Sequence, residues 1–490
     1  MDLRRNIHSL LREIGPGQQI TRSAYDTAWV ARLAEVGEPI GEQALEWLRA
    51  HQLADGGWGS NAPRYYHDRL VCTLAAMTVL AARRDSRDRN RLHWARMAVE
   101  TAVRGIGADP VETIGFEMIV PSLLTQAEAL GVLHGPRDDG LRQLTRHRQA
   151  KLSALPNGMI NRYVSVAFSA EMIGPDGLHL LDLHNLQEAN GSVAYSPAAT
   201  AFVARYVHPD DPAAIDYLRQ VAVNGAVPYT APIDVFEQGW TLWNLALTAA
   251  LDSELLALCQ PHLDFLESHW IPGKGIAAVS DLTLTDGDTT AMIYDVLVQF
   301  GRTVDMAGVM YYAQGDHFRC FGLEANPSIS TNIHVLSALR RTGCGPQAEW
   351  VQKILLFLRR TQTLQVFWFD KWHASPYYAT AHAIIACAGY DNDLVDDAVY
   401  WILMTQNEDG SWGYYMPTAE ETAYCLQALI IWKRHGGQVP NDALKRGEAW
   451  LLDHADPPYP PLWIGKSLYC PILVVRSAVL SALALMQEER

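Results

Sequence analysis

Trp401-Ile402-Leu403-Met404-Thr405-Gln406-Asn407-Glu408-Asp409-Gly410-Ser411-Trp412-Gly413 reads as the end of an aromatic-anchored helix, a glutamine, a glycine turn and a tryptophan that packs back over the turn. The same order occurs at Trp47-x4-Gln52-Leu-Ala-Asp-Gly-Gly-Trp58-Gly59. Phe357-x4-Gln362-x5-Trp368 keeps the order without the glycines, and Gln187-Glu-Ala-Asn-Gly-Ser-Val193 puts valine where tryptophan stands. A glutamine amide at such a place can bond backbone at a neighbouring helix end, while the ring covers the turn. Each copy is therefore a clasp, and its recurrence marks a repeat architecture.

A second echo marks helix starts. Asp26-Thr27-Ala28-Trp29, Ala199-Thr200-Ala201-Phe202, Asp288-Thr289-Thr290-Ala291, Ala379-Thr380-Ala381-His382 and Glu421-Thr422-Ala423-Tyr424 each open an apolar helix. Helical periodicity dominates, with short Gly/Pro/Asp turns between amphipathic segments and few stretches of period two. The expected fold is all-α. Inner helices alternate with outer helices that end in clasps, giving toroids of helical hairpins. Copies in both halves imply two α/α barrels, divided near 251–275, with Pro272-Gly273-Lys274-Gly275 as a candidate hinge.

The bulk numbers narrow the function. The 490 residues are 49% hydrophobic, enough for a large core and two domains. A formal charge of −15 argues against a nucleic-acid surface. Mean hydropathy is near zero, and no run of about 18 apolar residues suggests a membrane span. The first residues lack a signal-type apolar segment, and the seven scattered cysteines fit a reduced, cytoplasmic protein with buried thiols.

One stretch carries chemistry. Thr285-Asp286-Gly287-Asp288-Thr289-Thr290-Ala291 places two carboxylates one residue apart before a helical apolar run. The plain reading is an N-cap with an acidic first turn. The sharper reading is a Brønsted acid, because two close carboxylates do not both ionise cheaply and one retains its proton. Such a proton can be delivered to a carbon–carbon double bond.

Further motifs resolve that choice. The Gln-x-x-x-Gly-x-Trp repeats resemble those of protonation-initiated terpene cyclases, including squalene–hopene cyclases. Ser23-Ala24-Tyr25-Asp26-Thr27-Ala28-Trp29-Val30-Ala31, Gln52 to Gly59, Asp68-Arg69-Leu70-Val71-Cys72-Thr73-Leu74-Ala75 and Gly115-Phe116-Glu117-Met118-Ile119-Val120-Pro121-Ser122-Leu123 are similar to stretches of class II diterpene cyclases such as copalyl diphosphate synthases. Asn185 to Val193, Ser328-Ile329-Ser330-Thr331-Asn332-x-His334-Val335-Leu336, Asp370-Lys371-Trp372-His373 and Thr418 to Cys425 resemble the bacterial halimadienyl (tuberculosinyl) diphosphate synthases. The likeness runs from about residue 20 to about residue 480.

The resemblance implies a βγ arrangement: residues 1–18 as a helix of the β domain, 19–260 as the γ barrel and 261–490 as the β barrel carrying the acid motif. It implies Asp288 as the proton donor and Asp286 as its partner. Thr289 stands where the family usually has a third aspartate, leaving a hydroxyl to orient the acid. Trp240, Trp243, Tyr311, Tyr312, Trp368, Trp372, Tyr377, Tyr378 and Tyr424 are candidates to face a carbocation, since aromatic faces attract cations without trapping them. Lys371, Arg162 and Lys466 are candidates for a substrate diphosphate. His334, His373 and His382 are candidates to orient the acid or take the final proton. Mg²⁺ is the expected cofactor, at a position that no motif fixes. Asp210-Asp211-Pro212-Ala213-Ala214 and Asp396-Asp397-Ala398-Val399-Tyr400 do not meet the D-D-x-x-D/E pattern of enzymes that ionise a diphosphate, so the group should survive and a separate class I synthase or other enzyme should act on the product. The expected reaction turns geranylgeranyl diphosphate into a bicyclic diterpenyl diphosphate of halimadienyl or clerodane (kolavenyl) type. A squalene–hopene-type triterpene cyclase and a non-catalytic toroid scaffold are the alternatives.

Overall fold

The computed structural model describes residues 1–15, 19–133, 139–209, 211–324 and 326–490. Asp210 of the first acidic pair, and the expected division after residue 18, lie outside them. Among the described residues, twenty α-helices form two barrels that pack against each other.

In the first barrel the inner elements are α2 (Ala24–Ala31), α4 (Tyr66–Arg83), α6 (Phe116–Ala129), the 3₁₀ segment Ser165–Ile173 and α8 (Pro197–Tyr206). Each packs on the next, and α8 returns to α2. Outside lie α3 (Pro39–Ala50), α5 (Arg89–Gly105), α7 (Asp139–Ala154) and α9 (Pro212–Val221).

The second barrel closes a ring of six inner helices: α10 (Asp234–Ala246), α12 (Gly287–Gln299), α14 (Ile329–Arg341), α16 (Pro376–Cys387), α18 (Ala419–Arg434) and α20 (Ile472–Glu488), with α10 against both α12 and α20. Around it stand α11 (Ser253–Ser268), α13 (Ala307–Met310), α15 (Glu349–Thr361), α17 (Asp396–Met404), α19 (Asn441–Asp453) and α1 (Leu3–Glu13). The N-terminal helix packs on α20 and α11, so it belongs to the second barrel.

The expected boundary at residue 260 moves. One hydrophobic core runs from Ala24 to Ala231, joined by Val279; the other takes Leu3–Ile20 and most of the buried apolar residues from Ile233 onward. The division falls at 231–233, and α10 and α11 are second-barrel helices. The 272–275 turn is not a hinge: Ile271 pairs with Gly275, and the Gly273 N–H donates to Asp305, all within one barrel.

The clasps have the geometry their composition suggests. Gln406 Nε2 donates to the carbonyls of Gly410 (2.9 Å) and Ala443 (2.9 Å), and Trp412 Nε1 donates to Ile402 (2.7 Å). Gln52 bonds Gly56 and Arg91 in the same way, with Trp58 Nε1 on Leu48. Gly410 is obligatory: its φ is 95°, and a Cβ there would lie 2.5 Å from the Arg446 carbonyl oxygen. The tryptophan bonds satisfy carbonyls in the last turns of α17 and α3, which helix ends leave unpaired.

Four of the five echo threonines tether an inner helix to the turn before it; the fifth, Thr27, accepts from Val227 N at 3.1 Å. Thr422 Oγ1 accepts from Trp412 N, Thr380 from Trp368 N, Thr290 from Ile276 N and Thr200 from Val193 N, at 2.9–3.1 Å. In α14 the same task falls to Asn332, whose Oδ1 accepts from Phe318 N at 2.8 Å.

A two-stranded finger joins the barrels. β1 (Ala313–Gln314) and β2 (His317–Phe318) form one short hairpin, β3 (Trp463–Ile464) and β4 (Leu468–Tyr469) the other. The second inserts into the first barrel: Gly465 O accepts from Ile114 N, and Leu468 N donates to Asp68 Oδ1 at 2.8 Å. Tyr65, Ala374, Ile464 and Leu468 form a small apolar cluster at this seam.

Candidate active site

The Asp286–Asp288 stretch splits the two readings of its sequence between two residues. Asp286 is the N-cap of α12, accepting from Thr289 N at 2.8 Å. Asp288 lies in the first turn, buried, with its carboxyl engaged at both oxygens. His334 Nδ1 is 2.7 Å from Oδ1, and Ser330 Oγ is 3.2 Å from Oδ2. Burial pushes the Asp286 carboxyl up to about 7, and the neighbouring Asp288 adds to the effect. The Gly between them is forced by space, since a Cβ at Gly287 would lie 2.4 Å from the Arg319 carbonyl oxygen.

The proton arrangement follows from a chain of imidazoles. His334 Nε2 is 3.0 Å from His382 Nδ1, and His382 Nε2 is buried without a partner among the described residues. Burial, with His334 nearby, drives the His382 pKa well below its ordinary value, so this ring is neutral. A neutral imidazole has one donor and one acceptor. An orphaned buried N–H is rarer than an orphaned acceptor, so the network assigns the proton to His382 Nδ1. His382 then donates to His334, His334 donates to Asp288 Oδ1, and Ser330 donates to Oδ2. Both carboxyl oxygens are held by donors, and the acid's own proton is left for a substrate. The ring of Trp243 stacks on His382 at 4.5 Å and Trp240 stands edge-on to His334 at 5.8 Å, walling the chain from water.

Repeat position organises the site. Asp288, Ser330, Tyr378 and Glu420 each precede their helix's tether (Thr290, Asn332, Thr380, Thr422) by two residues, so four successive inner helices present them at the same level. Tyr378 accepts from Trp240 Nε1 at 3.1 Å and packs among His382, Tyr424 and Trp463. The Glu420 Oε1 atom accepts from Trp463 Nε1 (2.7 Å), Tyr424 (3.2 Å) and His373 (3.3 Å), while Oε2 has no partner among the described residues.

The other sequence candidates separate. His334 and His382 join the acid; His373 stacks on Tyr378 and serves Glu420 instead. Thr289 turns its hydroxyl to Asp286 rather than to Asp288. Trp240, Trp243, Tyr378 and Tyr424 meet around the acid and the histidines. Tyr377 does not: it stacks on Trp401 of the outer helix α17, one residue out of register with the interior. Tyr311 is half-exposed, beneath Arg319. Tyr312 braces the acid loop, its hydroxyl 2.7 Å from Thr285. Trp368 is a clasp, with Nε1 on Leu358. Trp372 is partly buried between Lys371 and Phe321.

Among the basic candidates, Lys466 is excluded from a substrate role by its surroundings. It is fully buried at the finger tip, 2.7 Å from Glu171 Oε1 and 2.7 Å from Ser196 Oγ. It pins the barrels together and faces Asp26, which burial pushes up to about 7. Lys371 pairs with Glu324 and donates to Asn326 O at 2.8 Å, holding the loop that follows β2. The first barrel touches that same loop through Ser165, whose hydroxyl is 3.4 Å from Leu323 O. Arg162 lies on the first barrel with its Nε lacking a partner among the described residues. No three His, Cys, Asp or Glu side chains among the described residues form a metal cage. All seven cysteines are free, six of them buried. No helix among the described residues is long and apolar enough to cross a membrane.

Residues 322–458 match the squalene-hopene cyclase C-terminal domain family. The chain is 43% identical over 493 residues to the type B diterpene cyclase of Mycobacterium tuberculosis, covering 98% of each. It is 32% identical to an ent-copalyl diphosphate synthase of Streptomyces sp., over 91% of this chain and 88% of that one. The solved ent-copalyl diphosphate synthase from Streptomyces platensis superposes with a TM-score of 0.83 at 32% identity, covering 99% of both chains.

Proposed function

This chain belongs to the class II diterpene cyclases, and from that premise we propose that it converts geranylgeranyl diphosphate to a bicyclic diterpenyl diphosphate of halimadienyl or clerodane type. The observation that carries the proposal is the dry Asp288–His334–His382 chain, with Ser330 on the second carboxyl oxygen. Protonating an unactivated alkene requires an acid that water does not level, with its conjugate base stabilised as the proton leaves. Donors on both oxygens meet the second requirement, because hydrogen bonds to the charged form strengthen as charge develops.

In this reading Asp288 gives its proton to the terminal alkene, and the new cation closes two rings against Trp240, Tyr378 and Tyr424. Loss of a proton ends the sequence after hydride and methyl shifts, the number of which decides the skeleton. Arg162 and Lys371, from opposite barrels, hold the diphosphate away from the acid. Arg162 and Lys371 would hold the diphosphate together with Mg²⁺, which would neutralise part of its charge and needs no all-protein cage. The diphosphate stays on the product, a reading supported by the lack of a D-D-x-x-D/E motif, and a separate enzyme consumes it. The reaction runs in the cytoplasm.

The test is incubation with geranylgeranyl diphosphate and Mg²⁺, with mass spectrometry before and after phosphatase. A bicyclic alcohol is expected only after phosphatase, and Asp288→Asn should reduce its formation by at least roughly a thousandfold with an unchanged fold. Recovery of geranylgeraniol alone from folded protein would refute the substrate assignment; turnover of squalene would favour the triterpene alternative.

A further inference from the structure

Asp370 lies far beyond the acid in sequence and is fully enclosed beside it. Its Oδ1 accepts from Ile329 N (2.7 Å), Ser330 N (3.0 Å) and Ser328 Oγ (3.2 Å), and its Oδ2 accepts from Trp372 N (3.1 Å). It therefore caps α14 although the N-cap residue is Ser328. The Ser330 hydroxyl sits between two carboxyls, 3.2 Å from Asp370 Oδ2 and 3.2 Å from Asp288 Oδ2. It has one proton to give. Both acceptors lie at the same distance, so that proton can turn to Asp288 as the acid loses its own.

We propose that Asp370 is a positioning residue for proton delivery: it holds Ser330 against the second oxygen of Asp288. The Ser330 donor stabilises the Asp288 carboxylate once the proton has gone, and Asp370 keeps that donor in place. The remaining groups that bear on Asp288 are His334 with His382 behind it, Asp286 on its own loop, the Tyr378 hydroxyl, the Cys320 thiol and, further out, the Lys371–Glu324 pair. All of these are retained in the variants below.

The inference rests on the cyclase reading, and the experiment separates the two. Wild type, Asp370→Asn, Ser330→Ala and the double variant are assayed with geranylgeranyl diphosphate across pH, with kcat and KM resolved and folding followed by circular dichroism. The amide introduced by Asp370→Asn retains an acceptor for the α14 cap. The expected result for D370N is a kcat loss of roughly tenfold or more with a KM within about twofold of wild type. Ser330→Ala should lower kcat similarly, and the double variant should lose less than the product of the two. A D370N rate loss that is equally large in the Ser330→Ala background would assign Asp370 to the helix cap alone. A change confined to KM would assign it to the neighbouring Lys371. Either result overturns the proposal, as does a Ser330→Ala protein with wild-type kcat and pH profile. Should D370N not fold, Ser330→Ala, which leaves the cap intact, decides the matter. Wild-type protein that consumes no geranylgeranyl diphosphate would instead sink the underlying reading.

Discussion

Replacing Asp286 by asparagine should make the protein more resistant to unfolding at alkaline pH and leave it nearly unchanged in acid. Burial holds the Asp286 carboxyl at about 7 in the folded chain, against an ordinary 3.8. The folded value is the higher one, so the associated stability is fully present below about pH 4 and is lost as pH rises through about 7. The interval is about three pH units, and each unit corresponds to about 1.4 kcal/mol. Ionising this one group in the folded state therefore costs on the order of 4 kcal/mol by pH 8.5. The substituted amide keeps the acceptor for Thr289 N and never ionises. Denaturant unfolding of wild type and Asp286→Asn at pH 4 and pH 8.5, followed by tryptophan fluorescence, measures the difference. The advantage of the variant should grow by about 4 kcal/mol between the two conditions. Parallel pH dependence in the two proteins would refute the reasoning, because it would mean that Asp286 ionises without penalty and is not enclosed as described.

Two further outcomes follow from the same structure. Lys466→Met leaves Glu171 buried without its cation and should cost about 3–5 kcal/mol, with partial recovery in the Lys466→Met/Glu171→Gln pair; a variant of wild-type thermal stability but raised KM would return Lys466 to the diphosphate. Gly287→Ala drives a methyl into the Arg319 carbonyl and should lower kcat and thermal stability together, by about 1–3 kcal/mol in the latter; wild-type kinetics would show that the acid loop is not tightly seated.

Much of the architecture was legible because it repeats. The glutamine, glycine and tryptophan of the complete clasps, and the threonine at four inner-helix starts, serve one local purpose several times over, and the spacing between them is fixed by helix geometry. The acid and its histidine were legible through motifs. Ser330 and Asp370 lie inside those motifs but carry no signal of their own, since a serine in a first turn and an aspartate before a lysine have many ordinary uses. Their role exists only where α14 and the 370 loop meet. Lys466 misled for a physical reason: Gly465-Lys466-Ser467 has the composition of an exposed turn, and nothing local indicates that another barrel closes over it. The 272–275 glycines were misread similarly, because a tight turn inside a barrel and a flexible link share a composition. Tyr377 and Tyr378 differ by one residue, and only the tether on Thr380 sets which of them looks inward.

The tether positions also bear on how such a protein changes its chemistry. Six inner helices encircle one axis, and four of them hold a functional side chain in an equivalent socket whose height is set by a backbone bond to the preceding turn. The scaffold is indifferent to what fills a socket. Moving a carboxylate from one socket to the next would turn the direction of proton delivery by about a sixth of a revolution while leaving clasps, tethers and barrel untouched. The molecule thus behaves as an indexed turret, in which the reacting end of a bound chain is chosen by rotation rather than by rebuilding.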